Sequence, residues 1–95
     1  MTIEQLEQEL NQPITIGERA ERWEQHAMFL SRELAEARYE LLKARGQSMA
    51  TQLPSEDRRR VQLDFDTKEQ ARQVELLEGM QYNLNRRIEM IREAR

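Results

Sequence analysis

Between Ile16 and Ser48 the inward-type positions recur at spacings of four and three: Ile16, Ala20, Trp23, Ala27, Leu30, Leu34, Ala37, Leu41, Ala44 and Ser48. This heptad period is the mark of a long helix whose apolar seam lies against other helices. The pattern predicts a helix over about 16–51, roughly 50 Å long at 1.5 Å per residue. Thr15 with Glu18 reads as the capping box that opens it. Gly46 is its weakest point, where fraying or a bend is expected.

A shorter pattern precedes it. Ile3, Leu6 and Leu10 line one face, and Thr2 with Gln5 forms a capping box, so a short helix is predicted over about 2–11. Pro13 ends that helix, because the residue before a proline is driven out of the helical region. Pro13-Ile14-Thr15-Ile16 then reads as an extended connector.

Gln52-Leu53-Pro54-Ser55 is the main turn, placed at about 52–55. Ser55 can cap a new helical segment, over about 56–94, with Glu56 and Asp57 where a helix start favours acids. Val61, Leu63 and Phe65 alternate with polar residues in a strand-like period of two. That stretch is open to helix, turn or a brief strand, with helix preferred, since a lone short strand has nothing to pair with. A break is expected near Asp64 to Asp66, where Asp66 with Glu69 offers another capping box. Val74, Leu77, Leu84, Ile88 and Ile91, widened by Ala71 and Met80, make the stripe of the last helix.

The fold class expected is all-α. Two long helices joined by a short turn form an antiparallel, coiled-coil-like hairpin with a short N-terminal helix, as a single domain over 1–95. Small Ala20, Ala27, Ala37 and Ala44 alternate with bulky seam residues and allow close approach. Met28, Phe29, Tyr39, Leu42 and Met49 lie outside the strict seam, so a hairpin cannot cover the whole apolar surface by itself. A homo-oligomer is therefore expected. Its interface is assigned to Ile16, Ala20, Trp23, Ala27, Leu30, Leu34, Ala37, Leu41, Leu77, Leu84, Ile88 and Ile91.

Composition narrows the function. With 95 residues, one domain is the upper bound, and its core is small for its surface. Charged residues make up 35% with a net charge of −3, so nucleic-acid binding requires a local patch rather than the whole molecule. There is no cysteine, which removes disulfide and thiol chemistry and fits a cytoplasmic protein. MTIEQLEQEL has no basic flank or apolar run, so no secretory leader is expected, and no apolar run is long enough for a membrane span.

No enzymatic constellation is visible. The one histidine, His26, has Arg22, Trp23, Phe29 and Leu30 as its helical neighbours, none of them a carboxylate. Trp23-Glu24-Gln25-His26 does not supply the Glu-x-x-His of four-helix metal sites. Gly17, Gly46 and Gly79 are isolated, so no phosphate-binding loop exists. No cofactor and no metal are expected, and the chain is read as non-enzymatic.

Two binding chemistries remain. Arg58, Arg59 and Arg60 at the turn, with Lys43 and Arg45 near the end of the long helix, gather positive charge that can hold phosphates. Gln47, Ser48, Thr51 and Gln52 add polar donors, while Phe65, the nearest aromatic, is assigned to the core. Alternatively Trp23, Phe29 and Tyr39 with Met28 anchor a protein partner, such as a scaffold, adaptor or inhibited complex.

The order MTIEQLEQEL, then PITI, then a long helix ending in LLKAR, then LEGMQYNLNRRIEMIREAR, resembles the UvsY-type recombination mediators of tailed phages. The chain is shorter than members of that family and acidic overall. The resemblance implies an oligomeric accessory protein of DNA recombination that binds single-stranded DNA and assists recombinase loading, in a bacterial cell or phage-infected host. It places the family's basic residues at Lys43 and Arg45.

Overall fold

The computed structural model describes residues 1–94, and among them the chain is all-helical with no strand. Four helices follow in order: α1 (Ile3–Leu10), α2 (Ala20–Gln47), α3 (Glu56–Asp66) and α4 (Lys68–Glu93), with a 3-10 turn at Met49–Gln52 between α2 and α3.

Helix α1 starts as its sequence predicts. The Thr2 hydroxyl accepts from the Gln5 backbone N–H at 3.1 Å, and the Gln5 side chain accepts from the Thr2 N–H at 2.9 Å. Helix α2 starts at Ala20 rather than Ile16. The cause is Gly17, whose φ of +86° lies in the left-handed region. The Glu18 N–H donates to the Thr15 carbonyl at 3.3 Å, closing a turn with Gly17 at its third position, where type II geometry calls for glycine. Thr15 and Glu18 form only half of a capping box: the Thr15 N–H donates to the Glu18 carboxylate at 2.9 Å. Ile16 stands at the tip of this turn, fully exposed and off the seam.

Helix α2 also stops early, at Gln47. Ser48 leaves the helical region (ψ 143°), and its hydroxyl accepts from the Ala50 N–H at 3.1 Å, capping the 3-10 turn. Ser55 opens α3 as expected, with Glu56 and Asp57 in the first turn, and Val61 to Phe65 are helical. The break before α4 falls at Thr67, whose hydroxyl donates to the Leu63 carbonyl at 2.8 Å, a back-bond that bends helices. The capping box expected from Asp66 and Glu69 does not form, because the Asp66 carboxylate is bonded to Ser48, Met49 and Gln62.

Helices α2 and α4 run in opposite directions. Glu24 meets Arg92 near one end, and Arg38 meets Glu78 at 3.5 Å further along. The core lies between them, with Leu30, Leu34, Leu77 and Leu84 sealed from solvent and Leu6 of α1 closing one end. The seam of α2 is the inner face of the hairpin. Ala20, Trp23, Leu30, Leu34, Leu77, Leu84, Ile88 and Ile91 are buried within one chain, and Ala27, Ala37 and Leu41 pack on the same cluster. Helix α4 covers the seam of α2 within one chain. Of the second set, Met28, Tyr39, Leu42 and Met49 are exposed, whereas Phe29 is half-buried against the core.

Candidate interaction surfaces

The two ends of the hairpin are fastened by different polar chemistry. At the α3 end, Asp66 is the hub. Its Oδ2 accepts from the Ser48 hydroxyl at 2.7 Å and the Met49 N–H at 3.2 Å, and its Oδ1 accepts from the Gln62 amide at 2.7 Å. The Ser48 hydrogen bond is the main reason its carboxyl lies below the ordinary value; partial burial opposes this, and Gln62 and Met49 reinforce it. This buckle holds α3 back against the 3-10 turn.

Helix α3 contains no buried residue. Val61 and Phe65, one turn apart on one face, are 70% and 75% exposed. Phe65 is therefore not in the core, contrary to the expectation from its sequence. Leu53, Asp57, Arg58, Val61 and Gln62 line a shallow depression on this end.

Lys43, Arg45, Arg58, Arg59 and Arg60 are all exposed, and none forms an ion pair among the described residues. They do not converge on one cavity. Arg58 lines the depression beside Val61, whereas Arg45 lines a separate groove with Lys68 and Arg72, where Asp64 and Glu75 also sit. The Arg59 guanidinium donates to the Leu53 carbonyl at 3.2 Å and so braces the turn. Glu56, Asp57 and Asp64 interleave with these cations along α3. Of the polar donors assigned to the patch, Ser48 is buried in the Asp66 buckle.

At the opposite end Arg87 is buried, its side chain 9% exposed against 10% for Glu18. Its guanidinium reaches Glu18 Oε1 at 2.9 Å and Oε2 at 3.3 Å, and also donates to the carbonyls of Gln12 at 2.6 Å and Pro13 at 3.3 Å. It lies 4.4 Å over the Trp23 ring, in the range of a cation–π contact. Glu18 accepts further hydrogen bonds from the Trp23 indole and the Thr15 N–H. Burial pushes the Glu18 carboxyl up, but hydrogen bonds from Arg87, Thr15 and Trp23, with the guanidinium charge, outweigh it and hold the carboxyl below its ordinary value.

Trp23 is thus a wall of this knot, buried, and not an anchor offered to a partner. His26 has the carboxylate neighbour that its own helix lacks: Nε2 faces Glu9 Oε2 of α1 at 3.1 Å. The two atoms are buried and close, but off-line for a hydrogen bond. The Trp23 and His26 rings meet edge-on with centroids 5.3 Å apart. The residues that sequence reasoning missed, Arg87 and Glu9, carried a partial signal. Arg87 sits next to Ile88 on the apolar stripe, and Glu9 borders the face of α1 that must dock.

Among the described residues no cluster of three or more histidine, cysteine or acidic side chains could hold a metal ion. No helix there is long and apolar enough to cross a membrane. Compared with known proteins, the chain matches no family model, no curated protein and no solved structure.

Proposed function

We propose that the chain is a non-enzymatic helical interaction module that docks a protein partner on the α3 end of the hairpin. The observation that carries this reading is the exposure of Val61 and Phe65 on a helix that buries none of its own side chains. Soluble chains scatter single apolar side chains over their surfaces, but adjacent aromatic and branched residues on a firmly held helix suit a hydrophobic docking contact. Interleaved acids and arginines around them suit a polar rim better than a phosphate track.

The test compares immobilised wild type with the Val61→Ser/Phe65→Ser variant. Partners retained by wild type at moderate salt and lost by the variant, with helicity unchanged, support the reading. Equal retention by both removes it.

The exposure of Phe65 also favours a second reading, in which single-stranded DNA stacks a base on Phe65 while Arg58, Arg59, Arg60, Lys43 and Arg45 hold phosphates. The link to a recombinase rests on the family resemblance alone. This reading requires oligonucleotide binding without sequence preference that falls steeply with salt and is lost in the Arg58→Ala/Arg59→Ala/Arg60→Ala variant. Absence of binding at low salt eliminates it.

A further inference from the structure

Helix α2 carries a second heptad stripe on the side turned away from α4. Met28, Ala35 and Leu42 are seven residues apart, and Arg32, Tyr39 and Gly46 interleave with them at the same period. All six are exposed, and the three large apolar members are 63–64% exposed: Met28 63%, Tyr39 64%, Leu42 64%. A three-four repeat in which five of six positions are apolar or small is what a helix presents to another helix, not what it presents to water. Gly46 fits the same picture: a Cβ there would meet nothing within 4 Å, so nothing within the chain calls for a glycine. We infer that a second copy of this chain packs on this stripe, α2 against α2, antiparallel about a two-fold axis near Ala35.

Surface area leaves room for a second copy. The chain exposes 7370 Å², whereas a compact monomer of its 11.4 kDa exposes about 5,800 Å². The excess is about twice the roughly 800 Å² that each partner contributes to a standard interface. A dimer can therefore form without uncovering the core.

Charge sets the direction. Lys43 and Arg45 flank the stripe at one end of α2 and form no ion pair among the described residues, while Glu24 flanks the other end and meets Arg92. Parallel copies would bring both pairs of cations together. Antiparallel copies keep the Lys43 cations at opposite ends and place Met28 against Leu42 of the second copy and Arg32 over its Tyr39, twice by symmetry. The small Ala35 at the axis lets the backbones approach.

The full chain should sediment at about twice 11.4 kDa at micromolar concentration. Leu42→Glu should convert it to a monomer with unchanged helical circular dichroism, since Leu42 is exposed and lies outside the buried core. The chain has no cysteine, so direction can be read by mild oxidation. Met28→Cys mixed with Leu42→Cys should form a mixed disulfide dimer faster than either variant alone. A wild-type chain that stays at 11.4 kDa, a dimer that survives Leu42→Glu, or faster coupling of Met28→Cys with itself each overturns the inference.

Discussion

Arg87 belongs to α4 by its backbone but joins three other pieces of the chain by its side chain: the carboxylate of Glu18, the carbonyls that follow α1, and the face of Trp23. Removing one partner of a buried pair leaves the other charge stranded, and that costs far more than the pair contributes while intact. Arg87→Ala is therefore expected to lower unfolding stability by about 3–5 kcal/mol in urea denaturation. Arg87→Met combined with Glu18→Gln should recover a good part of the loss, because neither charge is then left alone. The same carboxylate governs acid stability. Glu18 titrates below its ordinary 4.5 in the folded chain, so the unfolded chain takes up the proton first as pH falls. Its contribution is complete above about pH 5 and drains away as pH drops through 4.5 towards the folded value. Asp66, depressed from 3.8, acts in the same direction at lower pH. Melting temperatures measured from pH 6 down to pH 3 should fall, and Glu18→Gln should flatten the upper part of that fall. An unchanged slope would contradict the assignment of Glu18 as the titrating group.

At the scale of the element, what was legible in the sequence was whatever depends on period. The heptads of α2, the stripe of α4, the capping box of α1 and the Ser55 start of α3 all follow from spacings of three and four. The boundaries that moved did so where one side chain or one dihedral beats the period. Gly17 takes a left-handed φ and delays α2. Ser48 spends its hydroxyl on Asp66 and Ala50 and ends it early. The two polar knots were illegible because each joins residues far apart in sequence, 18 for Ser48–Asp66 and 69 for Glu18–Arg87, and no local spacing encodes such a meeting. Phe65 is expected in the core, but α3 leaves it 75% exposed, while its neighbour Asp66 bonds Ser48 and Met49. Glycine substitutions separate these effects. Gly17→Ala should cost about 1–3 kcal/mol, since alanine resists a φ of +86°. Gly79→Ala, inside α4 with nothing within 4 Å of the new Cβ, should stabilise by about 1 kcal/mol. Chemical denaturation of the two variants tests both signs.

The whole molecule is a rod of 59 × 21 × 18 Å. Its radius of gyration is 17.8 Å, against about 12–13 Å for a compact chain of this length. In a rod, each stretch of α2 touches only the stretch of α4 beside it, so a local weakness has few routes to the other end. The two ends are also locked by separate devices, the Arg87 knot with α1 at one and the Asp66 buckle at the other. It follows that the ends should loosen independently. Trp23 is the only tryptophan and sits in the Arg87 knot, so its fluorescence reports that end, whereas far-ultraviolet circular dichroism reports all helices together. Deleting residues 1–12 removes Leu6 from the core, Glu9 from His26 and the Leu10 and Gln12 carbonyls from Arg87. The truncated chain should lose its tryptophan signal at lower urea than its helicity, while amides around Leu77 keep slow hydrogen exchange. Asp66→Asn should leave the tryptophan midpoint nearly in place and speed exchange in α3 instead. Two signals that stay coincident in both variants would mean that the hairpin melts as one unit, and that its packed seam, not its two polar fastenings, decides when it opens.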